Sequence, residues 1–236
     1  MSTSYSPREG GAVPVSGDAP GPRPGWLEIV VGVAVWALLA FGIAPLLRQL
    51  DPVAHGLSLN ALSAVAALGG FAVAAAVRAR SWSAFGVRRV SWRWLLIGLG
   101  AGVAAFVLCR VATAAYLAIT GDTSDPQTTY SDGASGGTAA LVLSFVLLAV
   151  ATPIGEELLF RGVVTTALLR YGPILAVVGS AVVFALVHGF SGVLVTALIV
   201  GLIAGELRRR SGSVWPGVLV HAANNTISSV VAFLLT

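Results

Sequence analysis

The sequence predicts an all-α fold, a polytopic transmembrane bundle of seven to eight helices, from three observations. Of its 236 residues, 56% are hydrophobic and only 10% charged, where a soluble domain carries about 25% charged residues. Apolar runs of about 20 residues, the length that crosses a bilayer, recur from Trp26 to the C-terminus. The basic residues are all arginines, nearly all of them between those runs, a pattern that reads as membrane topology. The net charge of +4 therefore gives no reason to invoke nucleic acid. The single cysteine, Cys109, excludes an internal disulfide and reads as a buried apolar filler.

Residues 1–25 contain ten Gly or Pro and no apolar core, which predicts a disordered cytoplasmic tail. The first long hydrophobic run lacks a signal-peptide cleavage pattern. Spans are expected at Trp26–Leu47, Leu57–Val77 and Trp94–Ile119, then at a longer Thr138–Leu169, Pro173–Gly189, Val193–Leu207 and Val214–Leu235. A break of the long run near Pro153 or Gly162 would make eight. Between the second and third spans, Ser81–Trp94 mixes Trp82, Phe85, Trp92 and Trp94 with arginines. That suits a segment lying in the membrane interface, or a loop with aromatic anchors. The Gly121–Gly137 loop reads as a flexible outer connection.

Arginine placement sets an expected orientation. Arg8, Arg23, Arg78, Arg80, Arg88, Arg89, Arg93, Arg170 and Arg208–Arg210 fall on one side under this threading. Arg48 falls on the other, where the Gly121–Gly137 loop carries Asp122, Asp125 and Asp132. The positive-inside rule then predicts a cytoplasmic N-terminus, as in a prokaryotic cell membrane.

Against this apolar background, Glu156-Glu157-Leu158-Leu159-Phe160-Arg161 stands out. A charge near the bilayer centre costs roughly 2.5–3.5 kcal/mol on insertion scales, so intramembrane ionisable residues point to function. Glu157 and Arg161 are i,i+4 in the favourable order, acid before base, and can neutralise each other. Glu156 points about 100° away around the helix, free to meet another partner. Arg110, inside the third run, needs an acid or a carbonyl, and Glu157 is nearest in expected depth. His188 shares a helical face with Phe184, and His221 shares one with Asn225. His55, in a short outer connection, reads as incidental.

Depth follows from numbering. At 1.5 Å per residue, a turn at 170–173 leaves Glu156 roughly 20 Å and His188 roughly 22 Å away. From the 211–213 turn, His221 lies roughly 12 Å and Asn225 roughly 18 Å in. Three helices therefore deliver Glu, His, and His plus Asn to one level, provided the long helix continues past Arg161. A carboxylate in an apolar pocket is placed to take a proton from water, and His188 could share or relay that proton. His221 and Asn225 could hold the oxyanion of a tetrahedral intermediate. Glu156, His188 and His221 are also acceptable zinc ligands. The plainer alternative is that these groups only join helices by hydrogen bonds.

The run Glu156-Glu157-x-x-x-Arg161, then Phe184-x-x-x-His188, then His221-x-x-x-Asn225, resembles the CPBP intramembrane proteases, a group that includes CAAX prenyl endopeptidases and Abi and bacteriocin-processing proteins. The resemblance covers about the last 100 residues. It implies a catalytic helical core at 138–236, with helices in 26–137 shaping access. Glu156 and His188 would activate water, His221 and Asn225 would stabilise the oxyanion, and Glu157, Arg161 and Phe184 would support the site. The substrate implied is a membrane-associated or lipidated peptide. No cofactor is the favoured expectation, with zinc on Glu156, His188 and His221 as the alternative. Two other classes stay open: a proton-coupled carrier, and a non-proteolytic membrane partner or immunity protein. No HExxH sequence supports a zinc-protease helix, and Gly179-Ser180 lacks the rest of a serine-nucleophile pattern.

Overall fold

The computed structural model describes residues 23–78, 81–122, 124 and 126–235. The expected tail over 1–22 with Arg8, and also Arg80 and Asp125, lie outside the described residues. Among the described residues the chain forms eight helices and no strand. Helix α1 spans Trp26–Leu47, α2 Pro52–Val77 and α3 Trp92–Thr120. A short α4, Thr128–Asp132, follows. Then come α5 over Thr138–Tyr171, α6 over Pro173–Leu186, α7 over Gly192–Ser211 and α8 over Trp215–Leu235.

Five of these are long and apolar enough to cross a membrane: α1, α2, α3, α5 and α8. This fits an integral membrane protein, as do the exposed apolar faces of α1 (Val30, Leu38, Phe41) and α3 (Val103, Val107, Val111). Helix α6 has only 14 residues, and α7 ends in Glu206 and Arg208–Arg210, so neither belongs to that set.

The centre of the bundle is the second half of α5. Almost every residue from Thr152 to Leu168 is buried, charged ones included. A helix that is apolar all round must be enclosed, and α1, α2, α6, α7 and α8 enclose it. The core around it holds Trp36, Phe71, Phe85, Phe160 and Phe184. The helix does not break at Pro153 or Gly162. It widens instead into π-type turns at Leu147–Ala151 and Leu158–Thr165. The first wide turn precedes Pro153 and absorbs the ladder bond that proline cannot donate. In the second, freed carbonyls find side chains. Ser180 Oγ donates to Phe160 O at 3.1 Å and Thr166 Oγ1 to Arg161 O at 3.1 Å.

Several expectations change in detail. Helix α2 starts five residues before Leu57, because Asp51 caps it, accepting from the Val53 and Ala54 N–H groups at 3.1 Å. His55 therefore lies in a first helical turn and not in a loop. Helix α6 stops at Leu186, leaving His188 in the turn beyond it rather than inside a helix reaching Gly189. Part of the expected flexible connection 121–137 is docked, around Tyr130 and Gly133: Asn60 Nδ2 donates to Tyr130 O at 3.3 Å, and Gly56 packs so closely on Gly133 that a Cβ would sit 2.3 Å from its nitrogen. The segment after α2 leaves Trp82 and Trp92 exposed but buries Phe85 on Phe71, with ring centroids 5.4 Å apart.

One end of the bundle collects the start of α1 and the ends of α2 and α5. Arg78 donates to both oxygens of Glu28 at 2.7 Å, and the Gly25 N–H donates to Glu28 at 2.7 Å. Trp26 Nε1 donates to the Tyr171 hydroxyl at 2.8 Å, and Arg170 donates to Pro24 O.

Candidate active site

The polar side chains of the site come from α5, the turn after α6, and α8. Glu156 and Glu157 sit on the short α-helical stretch Thr152–Glu157 held between the two wide turns. Wide turns of this kind occur often at functional sites, because they turn side chains away from the regular 3.6-residue register. Adjacent residues point in different directions, and the two glutamates separate as their spacing requires.

Glu157 faces inward to Arg161, with Oε1 3.0 Å from Nη1 and both side chains fully buried. The Arg161 guanidinium also lies over the Phe184 ring, its Cζ 4.4 Å from the centroid, a cation–π contact that a desolvated site strengthens. Two glycines make the pocket. An added Cβ on Gly217 of α8 would lie 2.7 Å from Glu157 Oε2, and one on Gly201 of α7 would lie 3.2 Å from Arg161 Nη2.

Glu156 turns to the two histidines. Its Oε1 is 4.0 Å from His188 Nε2, and its Oε2 is 3.7 Å from His221 Nε2. These separations exceed a direct hydrogen bond and match the reach of a bridging water. Each imidazole is anchored by its other nitrogen. His188 Nδ1 contacts Phe184 O at 2.7 Å. A carbonyl can only accept, so Nδ1 carries the hydrogen and Nε2 is left toward Glu156. The Phe184 and His188 rings meet edge to face, centroids 4.7 Å apart. His221 Nδ1 lies 3.3 Å from Glu157 Oε1, so the Glu157–Arg161 pair orients His221 as well.

Asn225 lies one turn beyond His221 on α8. Its amide donates to Leu148 O, in the first wide turn, at 3.1 Å, and its Oδ1 accepts from Asn224 Nδ2 at 3.2 Å. That leaves one amide N–H of Asn225 without an assigned acceptor among these bonds. The structure thus joins Glu156, Glu157, Arg161, Phe184, His188 and His221 in a continuous set, and places Asn225 at its edge.

Arg110 does not join them. Its Cζ lies 5.6 Å from the Phe106 ring centroid, on an exposed face of α3, while Glu157 is engaged by Arg161 and His221. Cys109 is fully buried, as its apolar setting predicts. Ser180, Gly201, Gly217 and Asn224 carry parts of the site that hydropathy did not mark; small residues on α6, α7 and α8, and the Asn224-Asn225 pair, were the signal available. For zinc, Glu156, His188 and His221 are the natural set. Among the described residues, however, no three His, Cys, Asp or Glu side chains form a group that could hold a metal ion.

The family model described as type II CAAX prenyl endopeptidase Rce1-like matches residues 138–227. The match bears out the resemblance drawn from the three motifs and supports a CAAX-type intramembrane endopeptidase as the general class. No curated protein and no solved structure matches the chain.

Proposed function

We propose that the protein is an intramembrane endopeptidase that hydrolyses a peptide bond in a membrane-associated or lipidated substrate, with the 138–236 core catalytic and the helices of 26–137 shaping access. The observation that carries this reading is the convergence of Glu156 with His188 and His221, at 4.0 and 3.7 Å, from α5, the turn after α6, and α8. Glu156 takes a proton from a water held between it and His188, and the oxygen attacks the substrate carbonyl carbon. The negative charge that develops on the carbonyl oxygen is met by His221 Nε2–H and the free amide N–H of Asn225. For His221 to donate from both nitrogens it acts as the imidazolium, balanced by Glu157. The C–N bond then breaks, and the proton on Glu156 passes, through His188, to the leaving amine.

This reading is metal-free. The arginine-rich end of the bundle is taken as cytoplasmic, in a prokaryotic cell membrane, so that a lipidated peptide reaches the chamber from that side.

The test is cleavage of lipidated peptides by the purified protein and by Glu156→Gln, with a chelator present in parallel. Glu156→Gln should lose at least about a hundredfold in rate, as removal of a general base does, while melting as the parent does. Full activity in Glu156→Gln would end the proposal, and loss of parent activity on chelation would end its metal-free form.

A further inference from the structure

A second buried cation lies outside the catalytic set and, among the described residues, has no acid to balance it. Arg208, in the last turn of α7, is 6% exposed. Its Nη2 donates to Thr166 Oγ1 at 2.8 Å, and its Nε is buried with no hydrogen-bond partner. The guanidinium lies directly against Gly86, where an added Cβ would sit 2.4 Å from Cζ. Gly86 has φ +75°, and its carbonyl accepts from Val214 N–H at 3.0 Å, so this floor is fixed.

Two residues beyond Gly86, the same segment carries another cation, Arg88. Arg88 is also held in place: its Nε donates to Gly212 O at 2.7 Å, and Ser213 Oγ donates to its carbonyl at 2.9 Å. Among the described residues neither arginine forms an ion pair. Glu206, two residues earlier on α7, is occupied by Arg209 and Arg210 at 2.6 and 2.5 Å. A buried charge is normally paired, because leaving it alone costs several kcal/mol. A buried guanidinium with an orphaned N–H, lying against Gly86 two residues before a second anchored arginine, is suited to an anion. Guanidinium forks match phosphate oxygens in pairs. Exposed Trp82 and Trp92 flank the segment that carries Arg88, and aromatic residues of this kind sit at headgroup level.

We propose that Arg208 and Arg88 form a phosphate-binding site at the arginine-rich end of the bundle, one that takes a phosphoryl group bearing net negative charge. A free phosphate and an anionic lipid headgroup present the same chemistry, and basic pockets between transmembrane helices are suited to headgroups.

The experiment uses the full chain in detergent and has two arms. One compares melting in inorganic phosphate with melting in chloride at equal ionic strength. The other counts lipid adducts by native mass spectrometry with phosphatidylglycerol and with phosphatidylcholine. Stabilisation by phosphate, retention of phosphatidylglycerol over phosphatidylcholine, or both supports the site; a response in one arm alone identifies the source. Arg208→Gln and Arg88→Gln should each weaken binding about tenfold, the scale of one charge-assisted hydrogen bond, and Arg48→Gln, at the opposite end, should not. Because Arg88 is exposed, Arg88→Gln decides the matter if Arg208→Gln does not fold. No preference in either arm, or binding unchanged in Arg88→Gln, overturns the proposal.

Discussion

Two glutamate–arginine pairs brace this bundle, one at each stage of the chain, and they are finished to different degrees. In the N-terminal part, Glu28 receives two bonds from Arg78 and one from Gly25, all at 2.7 Å, at the rim of the bundle. Its oxygens are satisfied, and Arg78 remains half exposed. In the C-terminal part, Glu157 and Arg161 are wholly buried, yet Glu157 Oε2 and all three Arg161 nitrogens fall short of a hydrogen bond. Interiors rarely leave so many polar atoms unsatisfied in one place. A satisfied pair locks two helices together. A buried pair with spare capacity can hold neighbours such as His221 and Phe184 in register for chemistry, at a cost in stability.

The comparison breaks if the two pairs respond alike to mutation. The largest effect belongs to Arg161→Gln. It leaves the buried Glu157 without its closest partner, Arg161, and with His221 alone beside it, so stability should fall by about 3–5 kcal/mol, with cleavage lost; denaturant titration in mild detergent measures the first. Next, Gly217→Ala pushes a methyl into the Glu157 carboxylate and tilts the group that orients His221. Misplacement on the scale of 1 Å should cost about a hundredfold in cleavage rate, with a much smaller change in melting temperature. Ser180→Ala removes the donor to the Phe160 carbonyl in the wide turn, and should cost about 1 kcal/mol. The smallest effect on cleavage is that of Arg78→Gln. It should leave cleavage at the parental rate while lowering the melting temperature, because the buried Glu28 loses its cation. Loss of activity there would mean that the N-terminal pair belongs to the catalytic machinery after all.

Much of this contrast was legible in the residues. Composition marked the membrane class, and i,i+4 spacing paired Glu157 with Arg161 while turning Glu156 away. Counting rise per residue brought Glu156 and His188 to one depth. What the sequence hid has physical reasons. The wide turns of α5 have no hydropathy signature, because a helix buried on all sides shows no apolar stripe to slip. The end of α6 at Leu186 was invisible inside a continuous apolar run, so His188 was expected within a helix when it lies in the turn that follows. The start of α2 was readable from Asp51-Pro52 as cap and first residue, but hydropathy alone begins the span later. Docking of 121–137 depends on Gly56, Gly133 and Asn60, whose roles exist only once α2 and α5 are side by side. Arg110 misled because depth does not report which face of a helix a side chain takes.

The account rests on Glu156 and His188 acting as one unit, and a double-mutant comparison tests that directly. Cleavage rates would be measured for the parent, Glu156→Gln, His188→Ala and the combined variant. Groups that act together lose their contribution once, so the double variant should be no slower than the worse single one. If the two losses multiply instead, the residues work independently and the shared water between them is not the nucleophile.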